Sequence, residues 1–397
     1  MDEPGTVIGA LGARWRGTVS AWGSIDPWDG GPRLDWWIAA DDRWHVPADE
    51  PTLRQRLVGG TPVVETAVRV PGGDVVATTY VVADHGGLTI CTVENRSNLP
   101  VAVAFGRRDL LTTRPPTDVP THGIELPSGA IVLPVGHQAA ITVALAHDGR
   151  GSGALPDGLP TAAQVARGWL AQTERSWRVS LPDASAVERL VTARAELLLA
   201  GPPAAYDDLG GFLHAVGELT ALGEPADSWV DAVVIATEQL ARRRRKDGAA
   251  LTWLEHLGVL GAEHTMRRAG DARAAADVST MHRLLTADAA PERAPAISPV
   301  DAAGTLAWWQ QRLACPTRAD SVELLADVPG EWFGQAIEAH RLPVVGGLLG
   351  FAVRWHGARP ALLWDVDTDI TLTCPGLDPT WSAAQRTGEA LLAAPSV

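Results

Sequence analysis

Apolar and polar positions alternate with a period of two over much of the first 150 residues. The clearest run is "TPVVETAVRVPGGDVVATTYVVADHGGLTICTVENRSNLPVAVAFGR", Thr61 to Arg107. Successive side chains of a strand point to opposite faces, so this alternation predicts short half-buried strands. Turn chemistry separates them: "PGGD" at Pro71–Asp74 suits a hairpin, and "DHGG" and "NRSN" close further strands. Strands at this spacing predict an N-terminal β-sandwich over residues 1–150. The Gly- and Pro-rich "HDGRGSGALPDGLP", His147 to Pro160, marks its end.

From Thr161 the period becomes helical. Thr161 with Gln164, and Ser185 with Glu188, have capping-box spacing ahead of "TAAQVARGWLAQTERSW" and "SAVERLVTARAELLLAG". A third helix begins at "YDDLGGFLHAVGELTALG". Its buried stripe is Leu209, Phe212, Leu213, Val216 and Leu219, and Gly223 is its C-terminal cap. Glu218 falls half a turn from that stripe and is expected to be solvated. Trp229 to Arg245, Ala250 to Arg268 and Ala272 to Leu285 continue the pattern, which makes about six antiparallel helices over residues 160–290. A second linker, "TADAAPERAPAISP", precedes a helix around Trp308 and Trp309. Strands return from Val322, with "QAIEAHRLP", "GFAVRWHG" and "ARPALLWDV" as strands and the turn at "VVGG". "GGLLG" at Gly346 to Gly350 reads as a hairpin turn rather than a phosphate cradle. The expected fold class is multidomain β plus α: an N-terminal β-sandwich (1–150), a shortened antiparallel helical (α/α) arc (160–290), and a C-terminal helix with a small β-sandwich (300–397).

Composition removes several function classes. The chain has 397 residues, a formal charge of −14 and one lysine, Lys246. Binding to nucleic acid relies on clustered basic side chains, so no nucleic-acid partner is expected. No apolar run reaches spanning length, and the start has no basic region followed by an apolar core. No membrane partner is therefore expected, and the reading is cytoplasmic. Cys91, Cys315 and Cys374 are far apart and in no CxxC pattern, which argues against a disulfide framework or a thiolate zinc site.

Four segments carry a likeness to a known architecture: "GTPVVETAVRVPGGDVVATTYVV", "TVENRSNLPVAVAF", "GWLAQTERSWRVSLPDASAVERLVTARAELLLAG" and "GFAVRWHGARPALLW". With them the chain resembles six-hairpin glycosidases and disaccharide phosphorylases of the glucoamylase-like kind. Those join an N-terminal β-sandwich to an (α/α) toroid and a small C-terminal β domain. The resemblance implies a carbohydrate ligand and two catalytic carboxylates at the centre of a closed ring. It also exposes a shortage. Twelve helices of about 11–12 residues with their loops need well over 200 residues, and only roughly 130 lie between the linkers. Half a toroid is an open arc, whose apolar edges invite a homodimer.

Inverting hydrolysis of a glycosidic bond needs an acid and a base about 6.5–9.5 Å apart. Asp207 and Asp208 open the third helix, where carboxylates first of all cap. Glu255 shares a helical sector with Leu251, Gly258 and Ala262, so it faces packing or a cleft. As catalytic candidates the pair is Asp208 and Glu255, against a bland alternative in which Glu255 is an ion pair at the edge of the core. Trp253, two residues from Glu255, is a ligand-binding candidate. The pairs Glu255–His256 and Glu263–His264 are eight residues apart and form no HExxH, so no metal site is expected. "RRRRK", Arg242 to Lys246, reads as a solvated helix end favoured by the dipole. No GxSxG elbow, P-loop or dinucleotide fingerprint is present, and no cofactor is expected.

In "RLDWWIAADDRWHVP", Arg33 to Pro47, Leu34, Trp36 and Ile38 point one way and Asp35 and Trp37 the other. Trp36 therefore belongs to the core. Trp37 reads as interdomain packing or, alternatively, as a platform on which a sugar stacks. The expected function is a carbohydrate-associated binding or interaction module of glycosidase-like architecture, reduced and non-catalytic. The alternative is an active hydrolase or phosphorylase whose pocket the C-terminal domain or a second subunit completes.

Overall fold

A computed structural model of the chain describes residues 5–117, 122–149, 151–287, 292–318 and 320–394. It contains both helices and sheets and divides into two compact units, Met1–Leu170 and Ala171–Val397. Parts of both expected linkers, residue 150 and residues 288–291, lie outside the described residues.

In the first unit the alternating run forms strands where the pattern places them. Val64–Val70 and Gly73–Val82 pair antiparallel and are joined by the two residues Pro71 and Gly72. Gly72 has φ +79°, a left-handed conformation that glycine adopts without a Cβ penalty. With five further strands they make a seven-stranded sheet in the order 153–154, 111–112, 140–146, 88–95, 73–82, 64–70, 54–57. A four-stranded sheet and a three-stranded sheet complete the unit. Ile8, Val19, Trp36, Ile38, Val68, Val93, Phe105 and Val143, drawn from all three sheets, share one core. The seven-stranded sheet also buries its other face. Tyr80, Ile90, Leu111 and Ala144 there pack with Ala166 of helix α1 (Ala162–Thr173). Thr161 caps α1 as its spacing predicts: its backbone N–H donates to Gln164 Oε1 at 2.8 Å, and the Gln164 N–H donates back to Thr161 Oγ1 at 3.3 Å.

The second unit holds α2 (Ala184–Ala200), α3 (Leu209–Ala221), α4 (Val230–Asp247), α5 (Trp253–Arg268), α6 (Ala272–Thr286) and α7 (Ala302–Leu313). It also holds a five-stranded and a four-stranded sheet. Helices and C-terminal strands share a core in which Leu190 and Leu197 of α2, Leu219 of α3 and Trp309 of α7 meet Leu342, Phe351 and Leu362 of the sheet. The helical segment and the C-terminal strands thus belong to one body. One local expectation is corrected and one element is added. Asp183, not Ser185, caps α2, accepting the Ser185 N–H at 2.8 Å. A short strand, Arg178–Ser180, lies between α1 and α2 and joins the sheet edge at Ile337–Val344.

Helix α3 is buried on all sides from Leu209 to Thr220, not along a stripe. Its contact with α5 explains why. A Cβ at Gly217 would stand 2.5 Å from Gly261 Cα, and one at Gly261 would stand 2.5 Å from the Leu213 carbonyl oxygen. Near the other end, a Cβ at Gly210 would stand 2.8 Å from the Glu255 nitrogen. Early residues meet early residues, so α3 and α5 run parallel and start at the same end, with their backbones almost touching. The first turns of both helices are therefore brought side by side.

Candidate functional site

Where α3 and α5 begin, their caps flank an open hollow of about 510 Å³ that Trp253, Arg243, Arg244, Asp247 and Glu292 also line. Asp208 is the N-cap of α3 and accepts the Gly211 N–H at 2.9 Å. Thr252 is the N-cap of α5 and forms a capping box with Glu255. The Thr252 backbone N–H and hydroxyl donate to Glu255 Oε2 at 3.0 and 3.1 Å, and the Glu255 N–H returns a bond to Thr252 Oγ1 at 3.3 Å. Three of the four residues singled out by the sequence, Asp208, Trp253 and Glu255, thus line one hollow.

The arginine run is a solvated helix end at Arg242, Arg245 and Lys246, as expected, but two of its members also reach a carboxylate. From the last turns of α4, exposed Arg243 places Nη2 2.5 Å from Glu255 Oε1, and the more buried Arg244 bonds Oε2 through Nη2. Burial on its own would raise the Glu255 carboxyl. The Thr252 backbone N–H and the two guanidiniums outweigh it and hold the group below the usual carboxylate range. Glu255 is therefore an ionised, fully bonded carboxylate at the floor of the hollow. Trp253 is half-buried and packs against the cluster of Leu257, Leu260, Ala307 and Val345.

Behind the hollow α3 carries a polar row that the stripe did not reveal. Glu218 is 3% exposed, against the expectation that it is solvated. It accepts from Ser176 Oγ at 3.0 Å and from Trp177 Nε1 at 2.5 Å, and Arg194 Nε stands 3.9 Å away. The Arg194 guanidinium lies 4.4 Å from the Trp177 ring centroid and donates to the carbonyls of Thr173 and Trp177. One turn earlier, His214 Nε2 meets Gln310 Oε1 of α7 at 3.0 Å. Burial lowers the His214 pKa.

The two Glu–His pairs have separate partners. His256 Nδ1 lies 3.1 Å from His282 Nε2 of α6, and Glu263 accepts from Arg267 and from the Gly346 N–H of a strand turn. Burial holds His256 well below its usual value and takes His282 and His264 to about 4. Among the described residues no group of three or more His, Cys, Asp or Glu side chains is placed to hold a metal. All three cysteines are buried and free.

In the first unit Trp36 is 3% exposed and its indole N–H donates to the Trp22 carbonyl at 3.0 Å. Trp37 is half-buried on the opposite face of the strand, where its ring lies over Gly106. Fold and hollow thus describe a two-unit protein of helices and sheets with a carboxylate-, arginine- and tryptophan-lined depression on paired helix N-termini. No protein-family model matches the chain, and no curated protein does either. No helix among the described residues is long and apolar enough to cross a membrane.

Proposed function

We propose that the chain is a reduced relative of the sandwich-plus-toroid glycosidases and phosphorylases, and that it binds carbohydrate without turning it over. Its hollow at the start of α3 and α5 would correspond to one side of the ring those enzymes close. The observation that carries this reading is the state of Glu255: both carboxylate oxygens are occupied by arginine or cap donors, and the group is held ionised. A general acid for glycosidic cleavage needs the opposite, a proton retained near neutral pH by a raised pKa. What the hollow does offer is an indole face for the C–H side of a pyranose, with Asp208, Asp247 and Glu292 as acceptors for hydroxyl groups around it.

One observation favours a second reading, hydrolysis or phosphorolysis with Asp208 and Glu255 as the reacting pair: both line the same hollow. Binding and chemistry are separated by titrating the chain calorimetrically with maltohexaose. The binding reading predicts saturable heat that Trp253→Ala reduces, by the share that comes from the hollow, while the melting temperature is preserved. Absence of heat with wild-type protein, or heat unaffected by Trp253→Ala, overturns the assignment of the site.

A further inference from the structure

The first unit carries a groove that the hollow above does not involve. It has a volume of about 580 Å³ and lies on the α1-side face of the seven-stranded sheet. Its floor is a straight row of polar side chains set across adjacent strands. Glu65 pairs with Thr78, Thr78 with Thr92, and Thr92 with Thr142. Residues directly opposite on neighbouring strands share a face, so the row presents three hydroxyls and a carboxylate side by side at the strand spacing of about 4.8 Å. On one side of the row that face is apolar, with Tyr80, Ile90, Leu111 and Ala144 buried; on the other side it carries the ion pairs Arg54–Asp74 and Arg96–Glu94. The hydroxyl row is the border between the apolar part and the paired charges, and it opens to the cavity.

The chemistry of the line restricts the ligand. Glu65 is bonded by Arg56 from the next strand, Nε to Oε2 at 2.7 Å, so the row has no uncompensated charge to attract an ion. Hydroxyls both donate and accept, and they suit a partner that does the same. The Thr92 and Thr142 hydroxyls lie 3.0 Å apart, which leaves each with hydrogen-bonding capacity to spare. The wall of the groove, Leu155 to Ala163, is fixed by the Tyr80 hydroxyl, which donates to the Pro160 carbonyl at 3.2 Å. Leu155 and Leu159 of that wall, with Ile90 on the floor, supply apolar contact for ring C–H groups. We propose that this groove is a second binding site, for a neutral saccharide chain, in which the Thr78–Thr92–Thr142 row hydrogen-bonds sugar hydroxyls. Tyr80 is a positioning residue that holds the wall.

The site is independent of the hollow between α3 and α5, and its test keeps the two apart. Maltohexaose and cellohexaose are titrated into the full chain carrying Trp253→Ala, Thr78→Val plus Thr92→Val, or all three substitutions. Valine keeps the shape and strand preference of threonine and puts a methyl group in place of the hydroxyl. The groove predicts that Trp253→Ala protein still binds at least one hexamer and that the added pair weakens this binding about tenfold, as the loss of two hydrogen bonds implies. If the double substitution does not fold, Thr142→Val on a third strand gives a weakening of several-fold. Loss of all binding with Trp253→Ala alone overturns the groove and leaves the hollow standing. Binding in the Trp253→Ala background that is as tight with the valines as without them also overturns it. Binding lost with the valines alone and untouched by Trp253→Ala supports the groove and removes the hollow.

Discussion

At the scale of single residues, the buried polar row of α3 is the most sensitive feature. Replacing Glu218 by leucine strands the Arg194 guanidinium in the interior and removes the acceptor from Ser176 and Trp177. Breaking a buried pair from one side costs about 3–5 kcal/mol, which urea denaturation will show as a lowered midpoint with unchanged slope. Glu218 also shows where sequence reading falls short. A stripe of Leu209, Phe212, Leu213, Val216 and Leu219 implies a solvent face opposite, but that face meets Trp177 and Arg194, which lie outside the helix in sequence. A polar residue opposite an apolar stripe is solvated only when nothing packs there. Trp36 and Trp37 show the converse, since strand alternation alone separated the core indole from the half-buried one.

Among elements, the α3–α5 contact depends on glycine. Gly217→Ala puts a methyl group where the Gly261 backbone stands, and the two helices must move apart. Overpacking of this kind costs about 1–3 kcal/mol. The expected result is a lower melting temperature for Gly217→Ala or Gly261→Ala and little change for Gly168→Ala on the exposed side of α1, where a Cβ meets nothing. Thr252→Ala removes the cap of α5 and one bond to Glu255, lowering stability by about 1 kcal/mol. The helices were legible because each runs for twelve residues or more with apolar spacing and caps. The strand Arg178–Ser180 was not, since three residues cannot display an alternation and its pairing partner, Ile337–Val344, is far along the chain. The Arg243–Glu255 and Arg244–Glu255 pairs were hidden for a related reason. The helix dipole explains arginines at the end of α4, but only the packing of α4 on α5 shows what they touch.

For the whole molecule, buried neutral histidines make both units acid-sensitive. Burial lowers His147 in the first unit, and His264 and His282 in the second, from 6.5 to about 4. A histidine depressed in the folded state leaves the unfolded chain binding more protons between those values. Stability is therefore full above pH 6.5 and falls as pH drops from 6.5 toward 4. Denaturation midpoints at pH 7, 5.5 and 4.5 should decline in that order, and flat midpoints would contradict the assignment. The β-then-α-then-β order of elements was legible from the change of period, whereas the shared core of helices and C-terminal strands depends on contacts among Leu190, Leu219, Trp309 and Phe351 that no local pattern contains. The most direct test of binding without turnover is to incubate wild-type and Glu255→Gln protein with maltose and longer α-linked glucans, with and without inorganic phosphate, and assay released sugar and sugar phosphate. The account predicts no product above the protein-free control from either protein. Product from wild-type that disappears with Glu255→Gln would contradict it.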